Sequence, residues 1–291
     1  MKLDCSPADF IFPPDGKADL SKWPTDIDRL YDGKQGYRSH LEEFKEELSD
    51  LQRVLYAHNR HAVLLVFQGM DASGKDGAIR HVMSGVNPQG CQVFSFTQPS
   101  SEELDHDYLW RCQKRLPERG RIGIFNRSYY EEVLVVRVLP SVLARQRIPA
   151  ERINPETIWE ERFADIRHME DYLYRNGTRI LKFFLHLSKE EQRKRFLSRI
   201  DDKSKNWKLT PEDIEMRELW DKYQHAYADC LAHTSTENAP WHVIPADNKR
   251  NARLIISHII VEAMKTIDMH YPKASPEHRE ELQRIRETLE S

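Results

Sequence analysis

A continuous apolar run, Ala62-Val63-Leu64-Leu65-Val66-Phe67, leads directly into Gly69-Met70-Asp71-Ala72-Ser73-Gly74-Lys75, and the residues after Lys75 take helical spacing with Ile79, Val82 and Met83 on one face. No other feature limits the fold so strongly. An unbroken apolar run reads as a parallel strand covered on both faces, and Gly-x4-Gly-Lys between such a strand and a helix is a phosphate-cradling loop. Gly69 and Gly74 allow the tight turn, successive N–H groups then face inward, and the positive helix end meets the anion. Ser73 lies within this cradle and Lys75 adds a point charge. A plain Gly-rich turn is the bland alternative, and the flanking strand and helix argue against it.

Two positions depart from the usual loop. Asp76 follows Lys75 where a Ser or Thr ordinarily ligates Mg2+, so a metal must be held otherwise. Asp71 is the natural carboxylate for a hard cation, although an Asp in a turn also serves the turn itself. At the end of the third predicted strand, Arg121 to Phe125, stands Asn126 where a metal-supporting Asp is expected. Arg127 follows, at a strand's carboxyl end where open α/β sheets bind ligands, with a planar fork suited to phosphate. Glu131 and Glu132 restore negative charge nearby. Ser128-x-x-Glu131 also reads as a capping box, so Glu131 has two readings, metal group or helix cap, which the sequence leaves open.

The third signal is the segment 193–208, with seven basic residues (Arg193, Lys194, Arg195, Arg199, Lys203, Lys205 and Lys208) against Asp201 and Asp202. Arg195 and Arg199 share a helix face, and the apolar period is lost after Asp201, as in a mobile lid. A solvated charged face is the alternative for any basic run. Beside a phosphate loop, a polyanion-binding lid built on Arg195, Arg199, Lys203, Lys205 and Lys208 is the better reading. Arg137, on the helix expected over 128–138, adds to the same field.

Around these motifs strands and helices alternate. Further strands are expected at Cys91 to Phe96, Ile180 to Leu187 and Trp241 to Ile244, with a helix at Glu102 to Arg115. This order gives an α/β fold with an open, parallel, about five-stranded sheet and helices on both faces. Residues 1–57 form an N-terminal arm and an amphipathic helix. The arm, to Tyr37, is Pro-, Asp- and Gly-rich, and the helix starts from a capping box at Ser39-His40-Leu41-Glu42 and runs to about Ala57. Residues 58–270 carry the phosphate loop and the lid at about 193–210, and 271–291 close the chain as a charged helix.

Composition excludes other classes. Charged residues make up 31% and the mean hydropathy is −0.72, and the longest apolar run falls far short of the roughly 20 residues of a spanning helix. A membrane partner is excluded, and a cytoplasmic location is expected because residues 1–10 resemble no leader. Forty-four basic against 47 acidic residues, net −3, argue against a nucleic-acid coat. Only Phe196 and Trp207 interleave the basic run for base stacking, so no nucleic-acid partner is expected. The cysteines at 5, 91, 112 and 230 are too far apart for a paired motif and read as buried reduced thiols. His58 and His61 lack partner carboxylates at ligand spacing.

The three motifs, Gly69 to Gly77, Phe125-Asn126-Arg127-Ser128-Tyr129-Tyr130-Glu131, and Arg195-Phe196 through Lys205-Asn206-Trp207-Lys208, resemble the polyphosphate kinase 2 family in order and spacing over residues 25–270. The resemblance implies a thymidylate-kinase-like P-loop fold, usually a homo-oligomer (dimer or tetramer), with Mg2+, or Mn2+ in its place, that moves phosphoryl groups reversibly between inorganic polyphosphate and nucleotides. Asn126 and Glu131, with Val133 to Val138 downstream, look like the third class of that family, which accepts nucleoside mono- and diphosphates, AMP and ADP. Carried over by position, Asp71 and Glu131 serve the metal and the acceptor, Lys75 and Arg127 the transferring group, and the lid bases the polymer. Gly69, Ser73, Gly74, Lys75, Asp76, Asn126 and Arg137 form the phosphate and nucleotide surround. An ATP-dependent nucleotide kinase of the thymidylate-kinase-like type is the rival, because a phosphate loop alone does not reveal its donor.

Overall fold

The computed structural model describes residues 3–14 and 19–291; the parts of the expected arm at 1–2 and 15–18 lie outside the described residues. Among them β1 (Ala62–Gln68), β2 (Cys91–Ser95), β3 (Ile122–Asn126), β4 (Thr178–His186) and β5 (Trp241–Pro245) form one parallel sheet in the order β2-β3-β1-β4-β5. The five strands expected from sequence are these five, with ends shifted by one or two residues. The helices are α1 (Gly33–His58), α2 (Lys75–Val82), α3 (Ser101–Leu104), α4 (Trp110–Gln113), α5 (Val135–Val138), α6 (Pro140–Ala144), α7 (Ile158–Arg175), α8 (Lys189–Asp201), α9 (Pro211–Glu218), α10 (Trp220–Thr234), α11 (Lys249–Lys265) and α12 (Pro276–Glu290).

All seven residues of β1 are buried, as an interior strand between two helical layers requires. Its alternate residues feed different cores, following the period of two of a strand. Val63, Leu65 and Phe67 pack with Leu48 and Leu55 of α1 and with Ile255 and Ile259 of α11. Leu64 and Val66 pack with Phe163 and Ile166 of α7 and with Tyr227 and Leu231 of α10. Because β1 lies between β3 and β4, the loop leaving its carboxyl end opens at the switch point where α/β sheets bind ligands.

Three expectations need correction, and one is made more definite. The first long helix starts at Gly33, not at the Ser39 box, because buried Tyr37, His40 and Leu41 extend its packed face by more than a turn. The arm, expected as an extended segment leaning on the surface or on a partner subunit, packs on this chain's own body: Phe10, Phe12, Leu20 and Tyr31 are buried, and Ile11 bridges His242 on β5. The single helix expected over 102–115 is two turns, α3 and α4, because the Asp107 carboxylate accepts from Leu109 N–H at 2.9 Å and offers the backbone a turn instead. The helix expected over 128–138 is a 3-10 turn at Tyr129–Glu132 followed by α5, and Pro140 stops it.

The break before α5 has a cause in the core. Tyr129 and Tyr130 are both fully buried, and both hydroxyls donate to Glu170 Oε1 at 2.8 Å. Lys182 Nζ donates to Glu170 Oε2 at 2.6 Å, to Tyr130 Oη at 2.8 Å and to the Thr234 carbonyl at 2.7 Å. Adjacent side chains of a regular helix point some 100° apart, so a tighter turn is needed to deliver both rings to one carboxylate. Cys112 and Cys230 are buried free thiols, whereas Cys5 and Cys91 are only half-buried.

Candidate active site

The loop after β1 is shaped by its glycines. A Cβ on Gly69 would lie 2.8 Å from Ser73 Oγ and 2.9 Å from the Leu185 carbonyl, so a side chain has no room there. Gly74 takes φ 105° at the start of α2, a left-handed conformation that glycine adopts without strain. Lys75 folds back into the concavity, where its buried Nζ donates to the Gly69 carbonyl at 2.6 Å and the Met70 carbonyl at 3.2 Å. Burial, and after it the Arg127 cation, bring the Lys75 ammonium down from its ordinary 10.5 to about 8. Ser73 Oγ and Gln68 Oε1 are buried with no hydrogen-bond partner among the described residues, although buried polar groups nearly always have one. Of the two, the Ser73 hydroxyl can donate, and with the Lys75 ammonium beside it the cradle suits a phosphate.

Arg127 reaches the same place from β3. The register pairs Phe67 with Asn126, and Arg127 N–H donates to the Phe67 carbonyl at 3.0 Å, which puts the residue beside the start of the loop. Its backbone is held at φ 61°, a strained conformation for a non-glycine residue of the kind that clusters at functional sites. The guanidinium donates to Asp71 Oδ1 at 2.8 Å and lies 3.7 Å from Glu131 Oε2. These carboxylates, Glu131 foremost, hold Arg127 above its ordinary range against the effect of burial. Of the two readings of Glu131, the helix cap is not formed: Ser128 Oγ accepts from Tyr130 N–H at 3.1 Å, and Glu131 turns to Arg127.

A second layer joins the helix start to the basic segment. Asn126 Nδ2 donates to Asp76 Oδ1 at 2.8 Å, and Lys208 Nζ lies 3.7 Å from Asp76 Oδ2. Burial pushes the Asp76 carboxyl up, but the Asn126 amide, Lys208 and Lys75 together hold it below its usual range. The residue that replaces the customary hydroxyl is thus tied to the residue that replaces the customary Asp. Lys208 is the expected lid cation that meets the loop helix.

Arg195 is not a mobile lid cation. Its side chain is buried, and it donates to the Ala72 and Ser73 carbonyls at 2.9 Å each, to the Ala246 carbonyl at 2.6 Å and to the Asp247 carbonyl at 2.9 Å. It bolts the phosphate loop to the turn after β5. The spacing that put Arg195 and Arg199 on one face was sound, but from the middle of α8 the Arg195 side chain reaches inward to these carbonyls. Arg199 lies over the Phe196 ring and donates to the Lys208 carbonyl at 3.4 Å, Lys203 is exposed, and Lys205 pairs with Asp202. Arg137 pairs with Asp229 of α10 at 2.7 Å and lies over the Trp159 ring.

Among the described residues no three His, Cys, Asp or Glu side chains gather into a metal cage. Asp71 and Glu131 are the carboxylates that share Arg127 beside the loop. Mg2+ is ordinarily held by one or two carboxylates together with substrate phosphates and water, so this donor set fits it.

Comparison with known proteins places the chain in a family. The profile of the family described as Polyphosphate kinase 2 matches residues 31–272. The chain belongs to the polyphosphate kinase 2 family. It is 57% identical over 273 residues to an ADP-polyphosphate phosphotransferase of Rhodopseudomonas palustris, covering 94% of each chain. It is 45% identical over 261 residues to an AMP/ADP-polyphosphate phosphotransferase of Meiothermus ruber, covering 89% of this chain and 93% of that one. The crystal structure of Polyphosphate Kinase 2 from Arthrobacter aurescens TC1 superposes with a TM-score of 0.87 at 35% identity, covering 99% of both chains. The P-loop kinase-like reading of the sheet and its helices therefore stands, and the chain is a phosphotransferase of this family.

Three site groups escaped the sequence reading. Gln192 donates to the Asp71 carbonyl at 2.9 Å and accepts from Arg217 of α9 at 2.8 Å, so the loop is also held from α8 and α9. Tyr223 and Tyr227 of α10 lie close enough to Glu131, Arg127 and Asp71 for these charges to act on their hydroxyls, which burial already pushes far above their ordinary range. Their spacing of four marked a helix face, but nothing in the local pattern named the loop across the fold.

Proposed function

We propose that this polyphosphate kinase 2 protein transfers the terminal phosphoryl group of inorganic polyphosphate to ADP and to AMP, in a reversible reaction. The observation that carries the reading is the arrangement Lys75, Asp71, Arg127 and Glu131 around one loop: two cations for transferring and bridging phosphates, two carboxylates for a divalent ion. Phosphoryl transfer has a loose transition state with charge on peripheral oxygens, so placement of cations supplies most of the catalysis. No strong base is needed, because a terminal phosphate with its second pKa near ~6 is largely ionised at neutral pH. The obstacle is repulsion between two polyanions.

In this reading Asp71 and Glu131 hold Mg2+, or Mn2+ in its place, and the ion supplies charge neutralisation of the phosphates. Arg127 exchanges its carboxylate partners for phosphate oxygens, and Lys75 exchanges the Gly69 and Met70 carbonyls. Gly69, Ser73 and Gly74 present the loop to the phosphate, Asp76 and Asn126 fix the start of α2, and Lys208 with Arg199, Lys203 and Lys205 receives the polymer. Arg195 acts by holding the loop, and Arg137 by holding α10 behind Glu131. The likeness to the Meiothermus ruber enzyme supports both acceptors. Incubation with long-chain polyphosphate, Mg2+ and either ADP or AMP is expected to yield ATP and ADP respectively. Turnover with ATP as donor to a nucleotide acceptor, and none with polyphosphate, would establish the thymidylate-kinase-like rival.

A further inference from the structure

On the β4–β5 side of the phosphate loop, away from Arg127, lies an open hollow of about 470 Å³ between the starts of α8 and α11. The Arg195 guanidinium joins its Asp247 wall to the loop, since it donates to the Asp247 carbonyl and to the Ala72 and Ser73 carbonyls.

The carboxylates of the wall are already engaged. Asp247 accepts from Ser188 N–H at 2.8 Å and from Thr25 Oγ1 at 3.0 Å, and Asp26 accepts from Ile27 N–H at 3.0 Å. Glu190 pairs with Arg193 at 2.7 Å and Glu191 with Arg195 at 2.8 Å. The cations of the same wall, Lys194, Lys249 and Arg250, make no ion pair among the described residues. Lys249 and Arg250 are also the first two residues of α11, whose first turn holds no acid. A helix start is the positive end of its dipole, where carboxylates stabilise and cations cost. α8 follows that rule with Glu190 and Glu191, and α11 breaks it. Burial, and after it the Arg195 cation, hold the Lys249 ammonium below its ordinary range against the pull of Glu191, with Arg253 and Lys205 adding to the repulsion. Cations gathered this way destabilise the fold until an anion joins them. The one aromatic side chain in the wall, Tyr31, shares its ring with Arg250 and Tyr37, so the hollow favours an anion without a nucleobase.

We propose that this hollow is a second seat for the donor polymer, where phosphates beyond those on the loop meet Lys194, Lys249 and Arg250 and make long chains better donors than short ones. The proposal rests on the polyphosphate reading of the loop. KM is measured with saturating ADP and Mg2+ for tripolyphosphate and for long-chain polyphosphate. In Lys194→Gln with Lys249→Gln, the loss of two charge-assisted hydrogen bonds is expected to raise KM for the long chain about tenfold or more, and for tripolyphosphate by less than about twofold. Thermal unfolding gives a readout without turnover. The unliganded double variant is expected to melt no lower than the parent, and long-chain polyphosphate to raise its Tm less than it raises that of the parent. An unchanged KM for the long chain, equal rises for both donors, or equal Tm gains overturn the second seat while leaving the donor assignment standing. Turnover by the parent with ATP as donor and with no polyphosphate overturns both.

Discussion

Lys75 spends the unliganded state bonded to its own loop, with its ammonium lowered to about 8. The protonated form binds phosphate, so kcat/KM for polyphosphate is expected to fall as pH rises past about 8. Fold stability moves the other way: between about 8 and the ordinary 10.5 the unfolded chain binds the proton that the folded chain has lost, so this residue favours folding as pH rises through that window. Lys75→Arg keeps its charge and should remove the alkaline decline; a parent profile flat from neutrality to pH 10 contradicts the assignment. Lys75→Ala and Arg127→Ala are each expected to abolish turnover with an unchanged circular dichroism spectrum. Activity within tenfold of the parent, about 1.4 kcal/mol of barrier, removes the residue from the site. Glu131→Asn should weaken use of AMP more than of ADP, and equal losses in steady-state assays with the two acceptors would refute its role.

At the level of elements, the strands and the loop were legible because their signals are local. An unbroken apolar run, a glycine pair and a lysine all lie within the fourteen residues from Ala62 to Lys75. The turn at Tyr129–Glu132 was not, since its shape is imposed by Glu170 and Lys182, which lie far along the chain. Arg195 shows the same limit. Its place in a basic run suggested solvent and polymer, whereas it donates to four carbonyls of the loop after β1 and the turn after β5 and to Glu191 Oε1 at 2.8 Å on its own helix. Arg195→Lys should therefore act on the loop: one ammonium cannot replace that fork, and a buried carbonyl left unpaired costs about 1–3 kcal/mol. Urea unfolding is expected to show a loss of that order, with KM for polyphosphate rising more than kcat falls. Unchanged stability and KM would place Arg195 back among the solvent-facing cations.

Across the whole molecule, the sheet divides two cores, and the Lys182–Glu170 pair, at 0% and 1% side-chain exposure, ties β4 to α7 beneath the Arg127–Glu131 segment. Removing one partner of a buried pair strands the other charge, so Lys182→Met is expected to destabilise the fold by about 3–5 kcal/mol in denaturant titration. A loss below ~1 kcal/mol would mean that water or another cation takes over.

The bolt at Arg195 also apportions movement. With the middle of α8 pinned to the loop and to the β5 turn, a jaw that closed over a bound polymer would have to pivot beyond Arg195, near the helix end at Asp201, and the segment left to travel is the short one that carries Lys203, Lys205 and Lys208.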